Sequence, residues 1–320
     1  MPKRPVHPPA PREVVSVGAR PRGPLSAGDL VQLIDAKGNK YTITLADDLI
    51  FHSHRGQLAH NDMIGKSEGI IINSDRAISY QVLRPGLDDY VLSMPRGATV
   101  VYPKDAARIV GLADIGEGSR ILEAGVGSGA LTCSLLRGSG ITGSVVSIER
   151  REDFAEIATE NVCRWFGGFP ASWSLKIADL VELKPELGGY DSVILDMLAP
   201  WECLEVVESA LRPGGALVAY VATTTQLSRL VETLRVRNVW TEPRAEESLL
   251  RTWHLDGLSV RPDHKMNGHT GFLVAARLMN GPSLDRKRRP APGAYGVDYH
   301  GPGGENYLEG TTPLSVAEKV

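Results

Sequence analysis

The sequence predicts an α/β protein in which a mostly parallel sheet with flanking helices follows a small N-terminal β domain. Three observations carry that reading. After Pro103, apolar runs of strand length alternate with helical stretches, the pattern of successive parallel β-α units. Between Gly28 and Met94, short runs alternate polar and apolar residues and are punctuated by turn residues. Between them in character stands EAGVGSGA at 123–130, a glycine-rich turn from strand to helix of the kind that binds ligands at the carboxyl edge of a parallel sheet.

Residues 1–24 are rich in proline and carry Lys3, Arg4, Arg12, Arg20 and Arg22 against Glu13 alone. Such a composition cannot bury a core and predicts a disordered basic arm. The β domain, residues 25–94, draws on DLVQLID, a turn at 37–39, KYTITL, GIIINS, ISYQVLRP and DYVLSMP. Residues 95–280 form the α/β domain, with strands expected at 120–125, 144–149, 174–179, 191–197 and 216–222. Helices are expected after the glycine loop, over 151–166, after Pro200 and over 224–235. GHTGFLVAARL at 268–278 adds an antiparallel strand at the end of the sheet. From 281 to 320 the Pro and Gly content and the cluster Arg286, Lys287, Arg288 and Arg289 predict a flexible tail.

Composition narrows the class. A chain of 320 residues that is 42% hydrophobic and 23% charged can bury a full core. No run approaches the roughly 18 apolar residues of a membrane span and the N-terminus lacks the apolar core of a signal peptide, so a cytoplasmic protein with no membrane partner is expected. Cys133, Cys163 and Cys203 form no C-x-x-C pair and are expected to be reduced. His52, His54 and His60 lack an accompanying Cys or acidic cluster at zinc spacing, and no metal is expected. A net charge of −3 gives no overall sign of a nucleic-acid partner. Such a partner would meet local cations, of which Arg55, Lys66, Arg76 and Arg84 are the candidates.

The loop fits two chemistries. Gly125, Gly127 and Ala130 satisfy the G-x-G-x-x-A dinucleotide pattern, while Gly125, Gly127 and Gly129 satisfy the E-x-G-x-G-x-G loop of S-adenosylmethionine enzymes. Glu149, ending the second strand, suits ribose hydroxyls in either case. Three acids favour methyl transfer: Glu123, read as standing at the cleft mouth where two phosphates would be repelled; Asp179, placed to accept from an adenine amino group; and Asp196 in DMLAPW.

VVYPKDAARIV, ILEAGVGSGALT, VVSIERR, ADL, VILDMLAPWE, LRPGGALVAYVATTTQLSRLVE, WTEPR and GHTGFLVAAR together resemble the class I, Rossmann-like methyltransferases that form 1-methyladenosine at position 58 in the T loop of tRNA. The likeness spans about 28–278, includes HSHRGQLAHNDMIG, and is greatest to the single-subunit bacterial and archaeal branch, in particular its actinobacterial members. The resemblance implies a seven-stranded sheet, S-adenosylmethionine as cofactor, tRNA as partner and a homotetramer. It places Glu123, Gly125, Gly127, Ser128, Gly129, Ala130 and Leu131 around the methionine end of the cofactor, Glu149 and Arg150 at the ribose, and Asp179 and Leu180 at the adenine. It assigns chemistry to Asp196 and Tyr102 and puts His269 and Thr270 on the tRNA side. Pro200 and Trp201 follow Asp196 and suit the base slot, while Trp201 suits a core place at a helix start equally well. Three alternatives stand beside it: a methyltransferase for another RNA adenine, a non-catalytic RNA-binding subunit, and a dehydrogenase.

Overall fold

A computed structural model describes residues 13–18, 21–97 and 99–284. The tail cluster 286–289 and the first twelve residues, both named above, lie outside them. Within the arm expected to lack structure, β1 (Val14–Val15) instead forms a short parallel pair, with Val14 opposite Phe169 and Val15 opposite Pro170. Val17 is buried behind it. The island VVSV is β-branched and apolar, a local property that the proline-rich average of the segment conceals.

The small domain holds β2 (Leu30–Asp35), β3 (Lys40–Thr44), the hairpin β4 (Ile50–Ser53) and β5 (Gly56–Ala59), β6 (Ile70–Asn73) and β7 (Ser79–Leu83). Four of these make an antiparallel sheet in the order β3-β2-β7-β6. Val31, Leu33, Tyr80 and Val82, alternating along two strands, close its core with Leu25, Leu45 and Met63. His52 lies in β4, whereas His54 falls in the turn after it, so the two do not share a strand face. His60 is buried and its Nδ1 accepts the Ala46 N–H at 3.1 Å.

DYVLSMP, expected as a strand, is a helix: α1 (Leu87–Ser93). Gly86 opens it, and Asp88 and Asp89 occupy the first turn, where negative charge favours a helix start. Tyr90 stacks on Trp165 at 5.1 Å and its hydroxyl donates to Asn161 O at 2.7 Å, fastening the domain junction.

The large domain runs α2 (Pro103–Leu112), β8 (Arg120–Ala124), α3 (Ala130–Ser139), β9 (Ser144–Glu149), α4 (Glu152–Phe166), β10 (Phe169–Pro170), β11 (Trp173–Ile177), β12 (Tyr190–Asp196), α5 (Leu204–Ala210), β13 (Leu211–Val221) and α6 (Thr224–Arg237). It ends with β14 (Arg244–Glu246), a hairpin of β15 (Trp253–Asp256) and β16 (Ser259–Pro262), and β17 (Phe272–Arg277). Seven strands make one sheet in the order β11-β9-β8-β12-β13-β17-β14. Five are parallel, and β17 and β14 are antiparallel to their neighbours. β17 is therefore not the last strand, as expected, but is covered by β14, whose three residues are too few and too charged to show a period.

The pleat sorts side chains into two layers. Leu122, Ile148, Leu195 and Leu217 meet α5 and α6 on one face. Ile121, Val145, Ile194 and Val218 meet α2, α3 and α4 on the other. By the same alternation Glu123, Glu149, Asp196 and Tyr220 fall on the second face, toward the carboxyl ends of four adjacent strands.

Candidate active site

The glycine loop turns between β8 and α3 with Gly125, Gly127 and Gly129 at φ of 86°, 55° and 78°, the left-handed region that favours glycine. Gly125 also packs against β12: a Cβ there would stand 1.8 Å from Asp196 O. Gly129 opens α3 and lies against α4, where an added Cβ would be 3.0 Å from Val162 Cγ2. The loop thus sits close on two neighbours, β12 and α4, an approach that a side chain at either glycine would prevent. Ala130 and Leu131 bury their side chains in the core, so only their N–H groups at the helix start can face a ligand. Ser128 is buried as well, its Oγ accepting the Gly97 N–H at 3.3 Å and its carbonyl accepting Asn161 Nδ2 at 2.9 Å.

Glu149 closes β9 beneath the loop. Its Oε2 accepts Val126 N–H at 3.0 Å and Gly127 N–H at 3.1 Å, and its Oε1 accepts Arg151 N–H at 3.0 Å. Those bonds fix the carboxylate beside the loop; Oε2 is taken up by its two N–H donors, while Oε1 keeps an acceptor site. Asp179 caps a short turn through the Val181 N–H at 3.1 Å, and its Oδ2 lies 3.4 Å from Arg150 Nη1. Arg150 is mostly exposed and Leu180 is buried.

Glu123 is not at the cleft mouth. It is fully buried beneath the loop, where its carboxylate accepts Thr132 Oγ1 at 2.8 Å and Ser147 Oγ at 2.6 Å. Its carboxylate is satisfied within the fold and ties α3 to β8 and β9. Burial pushes it up to about 7, with Asp196 and Glu149 adding repulsion. The folded protein therefore holds a proton that the unfolded chain, near 4.5, releases. The stability this contributes is complete below about 4.5 and is lost as pH rises through about 7. Glu123→Gln is expected to flatten the fall of melting temperature between pH 5 and 7, read by thermal unfolding across that range; an unchanged slope would refute the assignment.

Asp196 ends β12 opposite Tyr220 of β13. Burial, then the charge of Glu149, pushes it up to about 7. Tyr220 was not singled out from sequence, although an aromatic at the end of ALVAYVA with the parity of Val218 was the available signal. Its hydroxyl donates to Thr270 O at 2.5 Å, and burial raises it strongly, with Asp105, Asp196 and Tyr102 also acting on it. Tyr102 caps α2 on the same face. Of its two readings Trp201 takes the core one: it packs with the opposite layer, under Arg229 at 4.4 Å. His269 bridges Glu247 Oε1 at 2.7 Å and Ala222 O at 2.9 Å, and its pKa is raised chiefly by Glu247.

Among the cations, Arg55 is held by Asp35 at 2.5 Å and Arg84 by Asp29 at 2.7 Å, so both serve the small domain internally. Lys66 and Arg76 are exposed. Among the described residues no group of three or more His, Cys, Asp or Glu is arranged to hold a metal ion, and no helix is long and apolar enough to cross a membrane.

Glu149 and Asp196, near enough to repel each other beside the glycine loop, suit a cationic ligand rather than a pyrophosphate. The comparisons agree with that chemistry. Residues 23–72 match the TrmI-like N-terminal family and 80–258 match the tRNA methyltransferase complex GCD14 subunit family. The tRNA (adenine(58)-N(1))-methyltransferase TrmI of Thermus thermophilus is 36% identical over 250 residues, covering 77% of this chain and 95% of that protein. A Methanocaldococcus jannaschii TrmI named for adenines 57 and 58 is 29% identical, covering 80% and 96%. Among solved structures, a SAM-dependent O-methyltransferase from Thermotoga maritima superposes with a TM-score of 0.75 at 30% identity, covering 82% of this chain and 96% of that one. The Aquifex aeolicus tRNA (m1A58) methyltransferase TrmI superposes with a TM-score of 0.71 at 25% identity, covering 81% and 100%. With the sheet order, the glycine cradle and both family matches in agreement, the chain belongs to the family of the GCD14 tRNA methyltransferase subunit and the TrmI enzymes.

Proposed function

We propose that this enzyme transfers a methyl group from S-adenosylmethionine to N1 of adenine 58 in the T loop of tRNA, giving 1-methyladenosine. The observation that carries the reading is the crevice in which Asp196 and Glu149, mutually repelling, face the backbone of the Gly125–Gly129 turn. S-adenosylmethionine, when bound, supplies the electrophilic methyl on a cationic sulfur. The turn at Gly125–Gly129 and the first N–H groups of α3 would hold its methionine end, Glu149 would meet the ribose, and Asp179 would accept from the adenine amino group. Arg150 closes over that side from the surface.

Neutral adenine presents a lone pair at N1, so alignment is the main requirement and no base has to create the nucleophile. The product ring is cationic. The Asp196 carboxylate, hydrogen-bonded to the N6 amino group, grows more favourable as that charge develops and can accept the proton afterwards. Tyr102, at the start of α2, would stack on the incoming base. Because N1 of the target is engaged within folded tRNA, the base is turned out to react, at a cost of a few kcal/mol.

Lys66 and Arg76, exposed on the small domain, support phosphate contacts there. The β15–β16 hairpin supports a homotetramer: Trp253, Leu255, Leu258 and Val260 project from it more than half exposed, an apolar surface suited to a second copy of the chain. The cytoplasm, where tRNA is found, is the proposed location. The test is incubation of purified protein with labelled S-adenosylmethionine and unmodified tRNA, followed by mapping of reverse-transcription stops. A stop at 58 is expected; stops at 57 as well would place the enzyme beside its archaeal relative, and unlabelled tRNA would overturn the reading.

A further inference from the structure

Tyr220 is held by a polar cluster that no part of the reaction uses directly. Asp105, in the first turn of α2, is completely buried. Its Oδ1 accepts Lys104 Nζ at 2.7 Å and its Oδ2 accepts Thr270 Oγ1 at 2.7 Å. Lys104 Nζ also donates to Thr270 Oγ1 at 2.6 Å and to Ser248 O at 2.7 Å, so all three of its N–H bonds find acceptors. An ion pair this deep is costly unless every lone pair and proton is satisfied, and here both carboxylate oxygens and the whole ammonium are engaged. What such a pair supplies over an apolar contact is a fixed geometry. It joins three segments distant in sequence: the start of α2, the stretch at Ser248 and the turn before β17.

That turn is the seat of Tyr220. Thr270 O accepts the Tyr220 hydroxyl at 2.5 Å. Gly271 follows, and a Cβ there would lie 2.4 Å from Tyr220 Cζ, so the ring rests on bare backbone. Tyr220 pairs in register with Asp196, and Tyr102, two residues before Lys104, caps the helix that carries the cluster. One helical turn therefore presents Tyr102 and anchors the support of Tyr220.

We propose that Asp105, with Lys104 and Thr270, is a positioning residue that fixes Tyr220 beside Asp196, at the strand end that receives the target adenine. This rests on the methyl-transfer reading for its consequence, but not for its geometry. Misplacing Tyr220 lowers the rate of the aligned step while leaving cofactor affinity alone.

Asp105→Ala strands the Lys104 charge in the interior and endangers folding, so Thr270 carries the test. Thr270→Val keeps the shape and the backbone carbonyl but removes the hydroxyl; Thr270→Ser restores it. Expected for Thr270→Val is a kcat for tRNA methylation lower by about tenfold, with the dissociation constant for S-adenosylmethionine unchanged in calorimetry, and recovery in Thr270→Ser. In parallel, the Tyr220 resonance of protein labelled with 13C at tyrosine Cζ, assigned by its loss in Tyr220→Phe, is expected to shift in Thr270→Val and return in Thr270→Ser. An unmoved resonance, an unchanged kcat, or a loss that Thr270→Ser fails to recover overturns the proposal. Should the wild type leave tRNA unmethylated, the methyl-transfer reading falls, and the resonance alone decides whether the cluster positions Tyr220.

Discussion

Asp196→Ala is expected to lower kcat for tRNA methylation by about 10²- to 10³-fold, the loss typical when a preorganised electrostatic partner of a developing charge is removed. The size follows from when the interaction matures. Before methyl transfer the N6 amino group of a neutral ring donates to the carboxylate; afterwards the ring is cationic, and the same bond joins opposite charges. Asp196→Asn separates the two contributions. It preserves an acceptor for the N6 amino group, so orientation by hydrogen bonding alone would leave most of the rate, whereas a role for the charge predicts a loss close to that of alanine. The pH dependence adds an independent check. Because burial and Glu149 push Asp196 up to about 7, kcat/KM is expected to rise from pH 6 to 8 as the carboxylate forms. A cationic ligand beside it favours the ionised form, so the limb seen in kcat lies at lower pH than the limb in kcat/KM. Full activity in Asp196→Ala, or a flat kcat/KM profile in the wild type, would refute this role.

How much of this was legible in the sequence depends on the kind of signal. Strand β9 begins and ends where SVVSIE predicts, and α6 begins where Thr223 and Gln226 form a capping box. Such signals are local and survive any tertiary context. DYVLSMP failed because seven residues with Tyr90, Val91 and Met94 apolar fit an alternating strand nearly as well as two helical turns; packing of Tyr90 on Trp165 decides it, and Trp165 lies far away in sequence. Glu123 was misplaced for a different reason. Proximity to the first glycine suggested the cleft, yet strand parity with Ile121 sends its side chain under α3, where Thr132 and Ser147 wait. Parity was readable; the two hydroxyls, from α3 and β9, were not assembled until the sheet order was known. Arg55 and Arg84 show the same limit, since Asp35 and Asp29, which neutralise them, are brought in only by the fold of the small domain. The Asp105 cluster was hidden most fully: a charged residue on the buried face of α2 was visible, but its partners are 144 to 166 residues away for Lys104 and 165 for Asp105.

Gly125→Ala is expected to be the most damaging substitution in the cofactor cradle, abolishing measurable S-adenosylmethionine binding and lowering the melting temperature. Two costs combine. The residue has φ of 86°, and an L side chain in that region costs about 1–2 kcal/mol from its own backbone. The second cost is contact: the Cβ would stand 1.8 Å from Asp196 O and 2.7 Å from Asp196 C. Neither atom can swing aside, because both belong to the backbone at the end of a central strand, and the Gly125 N–H is itself bonded to Ile148 O at 3.0 Å on the other side. Relief therefore requires the loop to lift away from β12, which withdraws the Val126 and Gly127 N–H groups from Glu149 and moves the cradle off the catalytic strand. Gly38→Ala isolates the first cost, since Gly38 has φ of 78° in an exposed turn with nothing within 4 Å of an added Cβ. Calorimetric binding and thermal unfolding of both variants separate strain from collision: Gly38→Ala should lose modest stability and bind cofactor normally, while Gly125→Ala should lose more stability and bind none. Normal cofactor binding by Gly125→Ala would show that the loop does not hold the ligand against Asp196, and the positions assigned to Glu149 and Asp196 around it would then have to be abandoned together.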